Sequence, residues 1–399
     1  MTDRSAIEGA LGAGKGILRL EPAWVPRSFM HPGRRLRLHP DDLYAYGAHR
    51  GGINERWFSS TTNADNGPGT PADEGLSYVR ANGTRFLLKE AVEQAGDLLL
   101  GKEAIARDKG WNLLCKFFDN MGPIPHHMHQ DDAAAARVGR RGKPEAYYFP
   151  PQYNPTDNNY PYTFMGLEPG TTKEDVRRCL ENWNKGDNGV TYLSRAYRLE
   201  RGSGWQIDPG ILHAPGSLLT YEPQVNSDVF AMFQSEVEGR MTPWDLLVKD
   251  VPPDKHRDFE YIIGMLDWEA NVNPRFGESN RYQPKPVSRE PTDGYREVWV
   301  TYGTKWYSAK ELTVEPKRTV TIKDAAAYGL ILTQGHGTLN GLQVSTPAMI
   351  RFGQMTEDEC FVSAAAAAAG VRVENRSDSD PLVILKHFGP GNPDAPARR

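Results

Sequence analysis

Cysteine is scarce in this chain. Cys115, Cys179 and Cys360 are the three in 399 residues; they are widely separated and odd in number, which excludes a disulfide framework and leaves no thiolate pair at metal-site spacing. That usage fits a reducing cytoplasm. A surplus of positive charge is also missing: 47 Lys and Arg against 51 Asp and Glu give a net charge of -4, which argues against a general nucleic-acid binder. No apolar run approaches the ~20 residues that cross a bilayer. The opening MTDRSAIEGALG lacks the basic-then-apolar order of a signal peptide, so a soluble, cytoplasmic protein with no membrane partner is expected.

What is abundant is turn chemistry. The 39 Gly and 30 Pro predict a chain of short strands and loops with few helices, and the length suffices for two or three domains with a sizeable core. Residues 1–50 mix Pro, Gly and charge without a sustained period and read as an extension of loops and short strands, with Arg34 to Arg37 on a solvated face. Ile53 to Ser60 reads as a strand running into a turn-rich loop, Leu87 to Leu100 as a helix stopped by Gly101, and Trp111 to Phe118 as an apolar strand carrying Lys116. A helix with a Thr cap starts near Thr171–Asp175, with Val176, Cys179, Leu180 and Trp183 as its apolar stripe. Residues 241–294 form a helical region and linker, with Asn271 to Asp293 as a connecting loop. From 295 to 399 short β runs return; Gly335 to Gly341 reads as a hairpin turn, and the alanine run Ala364 to Ala369 as tight packing within a β region rather than a helix.

The chemistry-bearing stretch is Pro125-His126-His127-Met128-His129-Gln130. Residues two apart in a strand share a face, so His127 and His129 can present two imidazoles to one interior point. Glu145, after Lys143-Pro144, and His213, in the turn Pro209-Gly210-Ile211-Leu212-His213, would complete a set of three imidazoles and one carboxylate. Such a set suits a borderline divalent ion, most simply zinc, with iron or manganese possible. The competing reading is a histidine-rich loop beside a helix cap. A lysine inside an apolar run, as Lys116 is, must reach solvent or serve a ligand; Lys116, Lys143 and Glu222 could equally brace a core as an ion-pair network.

Many short strands around His-x-His, Glu and His describe a cupin, and the order of motifs goes further. Glu55-Arg56-Trp57, Leu113 to Lys116, His127-Met128-His129, Lys143-Pro144-Glu145, Pro209-Gly210 to His213, Glu222 and Ser227-Asp228, with Gly335 to Gly341 downstream, resemble type I phosphomannose isomerases. The resemblance spans roughly residues 50 to 390 and implies a mainly β protein of two cupin (jelly-roll) barrels with an added helical region: a metal-binding barrel over 51–240 with helical insertions and a second, metal-free barrel over 295–399. It implies metal ligands at His127 (a Gln in the family), His129, Glu145 and His213, and active-site roles for Lys116, Lys143 and Glu222. The family's serine before the metal strand falls on Pro125 and its active-site arginine on Met232. Those two changes remove groups expected to hold a phosphate; Arg240 is a possible replacement.

Three functions compete at this stage. One is a metal-dependent aldose–ketose isomerase acting on a small, non-phosphorylated carbohydrate, with Glu222, nine positions beyond His213 on the same strand pair, as proton-transfer residue. The others are a cupin metal-dependent oxidoreductase, which the extra imidazole at position 127 favours, and a non-catalytic sugar-binding protein.

Overall fold

Gly52–Phe58, Leu113–Phe118 and Thr220–Val225 are strands in which every residue is buried, so the sheet they share must be covered on both faces. The computed structural model describes residues 3–397 apart from 82, 158, 159 and 291. Among these residues the three strands sit in a seven-stranded sheet, and a five-stranded sheet built from Tyr162–Leu167, Ser194–Arg198, His213–Ala214, His127–Met128 and Ala231–Met232 lies across from it. A second pair, of seven and four strands, is built mainly from residues beyond 285. The protein is mainly β, two sandwiches of cupin type, and among the described residues neither closes into a continuous hydrogen-bonded barrel.

Side-chain alternation explains the layering. Glu55, Trp57, Lys116 and Glu222 point into the first sandwich, whereas their neighbours Arg56, Phe58, Cys115, Phe117 and Tyr221 point out. Phe58, Cys115, Phe117 and Tyr221 pack there with Val298, Val300, Ala309, Ile331 and Leu385 of the second sandwich. The two seven-stranded sheets therefore meet face to face. Met128 and Ala231, outward residues of the five-stranded sheet, and Leu212 just before its strand His213–Ala214 are covered by the helices Lys173–Glu181, Trp244–Val248 and Phe259–Gly264. The expected Thr cap is present, with Thr172 and Asp175 forming a reciprocal capping box; Pro243 is the N-cap of the helix Trp244–Val248.

Several segments differ from the sequence reading. Residues before 50 begin with a helix, Arg4–Ala13, capped by Asp3; its buried contacts are only Ile7 and Ala10, too few to show as a period. Ile17–Arg19 then pairs with Glu359–Val362 of the second sandwich, and Ala23–Arg27 pairs with Gly52–Phe58 of the first. The alanine run is a helix, Ala364–Ala369, with Ser363 as its cap and Gly370 (φ 105°) as its stop; intrinsic propensity, highest for alanine, outweighs the β surroundings. Within Gly335–Gly341, His336–Leu339 is strand, and the turn is confined to Asn340 and Gly341, both at positive φ (50° and 90°), as a two-residue hairpin requires. The supposed loop 271–293 holds a helix, Phe276–Asn280, and two short strands: Arg281–Tyr282 joins the first seven-stranded sheet and Lys285–Pro286 the second. Finally, His213 and Glu222 lie on opposite sheets, not on one strand pair.

Candidate metal centre and its pocket

Cross-strand register gathers the imidazoles. His213 pairs directly with His127, and His129 follows two positions along. The imidazole nitrogens of His127, His129 and His213 lie within 4.8 Å of one another, all buried. Each ring is anchored at the other nitrogen: Nδ1–H of His127 donates to the Pro125 carbonyl (2.9 Å), that of His129 to Val229 (2.8 Å) and that of His213 to Ile211 (2.8 Å). A carbonyl only accepts, so Nδ1 carries the proton in all three rings and Nε2 offers a lone pair to the interior. Burial lowers His129 to about 4 and His127 well below the usual imidazole range, with the neighbouring imidazoles adding to the effect at His127.

Glu145, on the opposite sheet at the start of Glu145–Tyr148, faces this cluster. Its carboxylate oxygens lie 3.1 Å from His129 Nε2 and 3.2 Å from His213 Nε2; Lys143 Nζ reaches Oε2 (2.9 Å) and His129 Nε2 (3.3 Å), whereas Oε1 and His213 Nε2 face each other with no other partner. The three converging Nε2 atoms fit a divalent metal, with the Glu145 carboxylate facing them. His126, the alternate residue, turns its ring the other way, towards Phe164.

Beside this cluster runs a chain of alternating charge. Lys143 Nζ is 2.9 Å from Glu145 and 3.7 Å from Glu222; Lys116 Nζ is 3.3 Å from Glu222 and 3.5 Å from Glu55. Arg27 ends the chain, 2.8 Å from Glu55 and 3.1 Å from Asp228, and Trp57 Nε1 also donates to Glu55 (2.6 Å). The register makes this possible, because Glu222 and Lys116 are direct cross-strand partners. Burial and then the Glu145 charge push the Glu222 carboxyl up to about 8, against the pull of Lys116 and Lys143. Burial alone would lower Lys116, but the carboxylates of Glu222 and Glu55 hold it above the ordinary lysine range. Glu145 goes the other way: burial would raise it, and its neighbours His129 and Lys143 hold it well below the usual carboxylate range.

All seven candidate residues from the sequence, Lys116, His127, His129, Lys143, Glu145, His213 and Glu222, thus meet at one place. Met232, cross-strand from His127, lines the pocket. Arg240 does not; its Nη1 donates to the Phe29 carbonyl (3.1 Å) in an adjoining cleft. Sequence reasoning missed Arg27 and the aromatic lining residues Phe29, Tyr147 and Phe230. The one available signal was an arginine in the wholly buried strand Ala23–Arg27, which demands carboxylate partners but does not say which.

No protein-family model and no curated protein matches the sequence. Solved structures do match. An isomerase of mannose 6-phosphate from Bacillus subtilis superposes with a TM-score of 0.61 at 15% identity, over 94% of this chain and 99% of its own. A zinc-bound mannose 6-phosphate isomerase gives 0.62 at 10% identity over 94% and 100%, and a mutant phosphomannose isomerase from Salmonella typhimurium gives 0.60 at 11% over the same shares. The chain has the phosphomannose isomerase fold. At these identities the likeness shows the fold alone. Among the described residues no helix is long and apolar enough to cross a membrane, and all three cysteines are buried and free.

Proposed function

We propose that the protein is a metal-dependent aldose–ketose isomerase acting on a free sugar. The observation that carries this reading is the juxtaposition of three Nδ1-anchored imidazoles and Glu145 with Lys143, Glu222 and Lys116, all buried. His127, His129, Glu145 and His213 would hold the ion, with zinc the simplest choice for the donor set and iron or manganese compatible with it. When bound, a divalent ion supplies polarisation of the sugar's carbonyl and hydroxyl oxygens. Glu222, poised near neutrality, is suited to take the proton from C2 as a carboxylate and return it to C1, while the O2 hydroxyl proton passes to O1. Lys143 donates towards the oxygen that gains negative charge. Lys116, gripped from the far side by Glu55, fixes the direction in which Glu222 points.

The pairing of the cations supports a non-phosphorylated substrate. Arg27, Lys116 and Lys143 are each already paired with carboxylates, and Met232 and Pro125 offer neither a guanidinium nor a hydroxyl. The test is exchange of the C2 proton with solvent deuterium across a panel of free aldoses and ketoses, run beside mannose 6-phosphate. Exchange on at least one free sugar and little on the phosphate is expected; exchange on none removes the isomerase reading. One feature favours a second reading, a cupin oxidoreductase: the third imidazole, His127, makes a donor set that also suits iron or manganese. Oxygen uptake by the iron-loaded protein with an organic substrate would support it.

A further inference from the structure

The metal pocket leaves only ≈ 40 Å³ of free space, whereas a cleft of ≈ 520 Å³ opens beside it, within the usual range of ligand sites. The two share Ile124 as a wall, and Met30 of the cleft packs with Ile124 and with Phe118 of the pocket. None of the seven residues used above lines the cleft. Its surface is mixed in a definite way. Tyr44 is 48% exposed, an aromatic face at the opening. Asn120 is fully buried; its Nδ2 is fixed by the carbonyls of Gly122 (3.1 Å) and Pro215 (3.2 Å), which leaves Oδ1 as an acceptor with no partner. Arg240 Nε is likewise buried and unpartnered, and Arg34 makes no ion pair or hydrogen bond among the described residues. Glu238, at the tip of the hairpin Glu236–Val237 and Arg240–Met241, adds a carboxylate.

We propose that this cleft is a second sugar subsite, so that the substrate is a reducing disaccharide whose reducing unit enters the metal pocket. An aromatic face, an amide acceptor, a carboxylate and guanidinium donors form the combination that recognises a neutral polyhydroxylated ring: the ring face stacks and the hydroxyls both donate and accept. An acceptor as deeply buried as Asn120 Oδ1 costs free energy unless a donor reaches it, and a sugar hydroxyl is such a donor. A lone anion would leave that acceptor unmet and would face Glu238. Isomerisation uses C1 and C2, so the second unit must hang from the opposite end of the reducing sugar, through O4 or O6. The inference about the reducing unit rests on the isomerase reading; the cleft itself does not.

Calorimetric titration of the purified, metal-containing full chain with mannose, glucose, 1→4- and 1→6-linked mannobiose, cellobiose, maltose and mannose 6-phosphate tests it. At least one disaccharide should bind about tenfold tighter than its monosaccharide, a difference of about 1.4 kcal/mol. The exposed substitutions Tyr44→Ala and Arg34→Ala should remove that gain and leave monosaccharide affinity within about twofold. Disaccharides no tighter than their monosaccharides overturn the proposal. So does mannose 6-phosphate binding tighter than every disaccharide and weakened by Arg34→Ala, which would make the cleft an anion site. Deuterium exchange on the same sugars separates the two ideas: disaccharide binding without exchange removes the isomerase and keeps the cleft, and monosaccharide exchange without any gain from a second unit does the reverse.

Discussion

Three buried imidazoles whose Nε2 atoms converge in front of a carboxylate make a site for a divalent cation, and this carries the first prediction. The purified protein should hold about one divalent ion per chain, and the His129→Ala, His213→Ala double variant close to none, as read by elemental analysis; equal content in both would show that the cluster is a packing feature. Glu222 carries the second. Glu222→Gln keeps size and hydrogen bonding but removes the base, and exchange of the C2 proton should slow by ~10²–10⁴-fold with metal content unchanged. Exchange as fast as in the unaltered protein would reduce Glu222 to a brace for Lys116.

At the scale of elements, period two was readable where function depends on it. His127 and His129 lie two apart and Glu145 heads a strand, so their facing could be worked out before any register was known. Register itself could not: that Glu222 stands across from Lys116, while His213 lies on the other sheet, depends on pairings between residues about a hundred positions apart. The helix Ala364–Ala369 was misread because surrounding β runs were allowed to outweigh alanine's propensity, and Arg4–Ala13 because a helix with so few buried contacts leaves little periodic trace. Arg27 stayed hidden because its partners Glu55 and Asp228 are distant in sequence. A prediction belongs here too. A side chain on Gly329, in the strand Tyr328–Gln334, would run into His387 and into Ser59 of the first sandwich. Gly329→Ala should therefore cost ~1–3 kcal/mol by overpacking and lower the thermal midpoint; an unchanged midpoint would mean that the two sheets can part locally.

For the whole molecule, the join between sandwiches is as buried as either core. Arg56, 1% exposed, lies 2.8 Å from Asp358 and 3.2 Å from Glu359 across it. Arg56→Met leaves buried carboxylates uncompensated, and a loss of ~3–5 kcal/mol in urea unfolding is expected. Tyr221 and His387 meet across the same join at 3.0 Å, and burial lowers the His387 imidazole from 6.5 to about 3. A base with a depressed folded-state pKa is stabilising above its unfolded value and loses that contribution as pH falls, because the unfolded chain then binds the extra proton. Burial raises Glu359 to about 8 despite Arg56, which gives a slope of opposite sign at higher pH, so the difference between two proteins is the informative quantity. The stability advantage of the unaltered protein over His387→Asn should shrink steadily from pH 6.5 towards 4; an advantage constant over that range would place the imidazole in contact with water.

The strand Ile17–Arg19, which closes the edge of Glu359–Val362, has a consequence for how the chain is made. Ribosomes add roughly 5–20 residues per second, so this strand emerges on the order of tens of seconds before its partner exists. Through that interval the strand Ala23–Arg27 can already dock on Gly52–Phe58, tethering its neighbour in place as a template. A nascent chain stopped short of residue 359 would display that template unpaired, an open invitation to the late strand of another copy, and the yield of correctly paired protein should fall as translation slows ahead of residue 359.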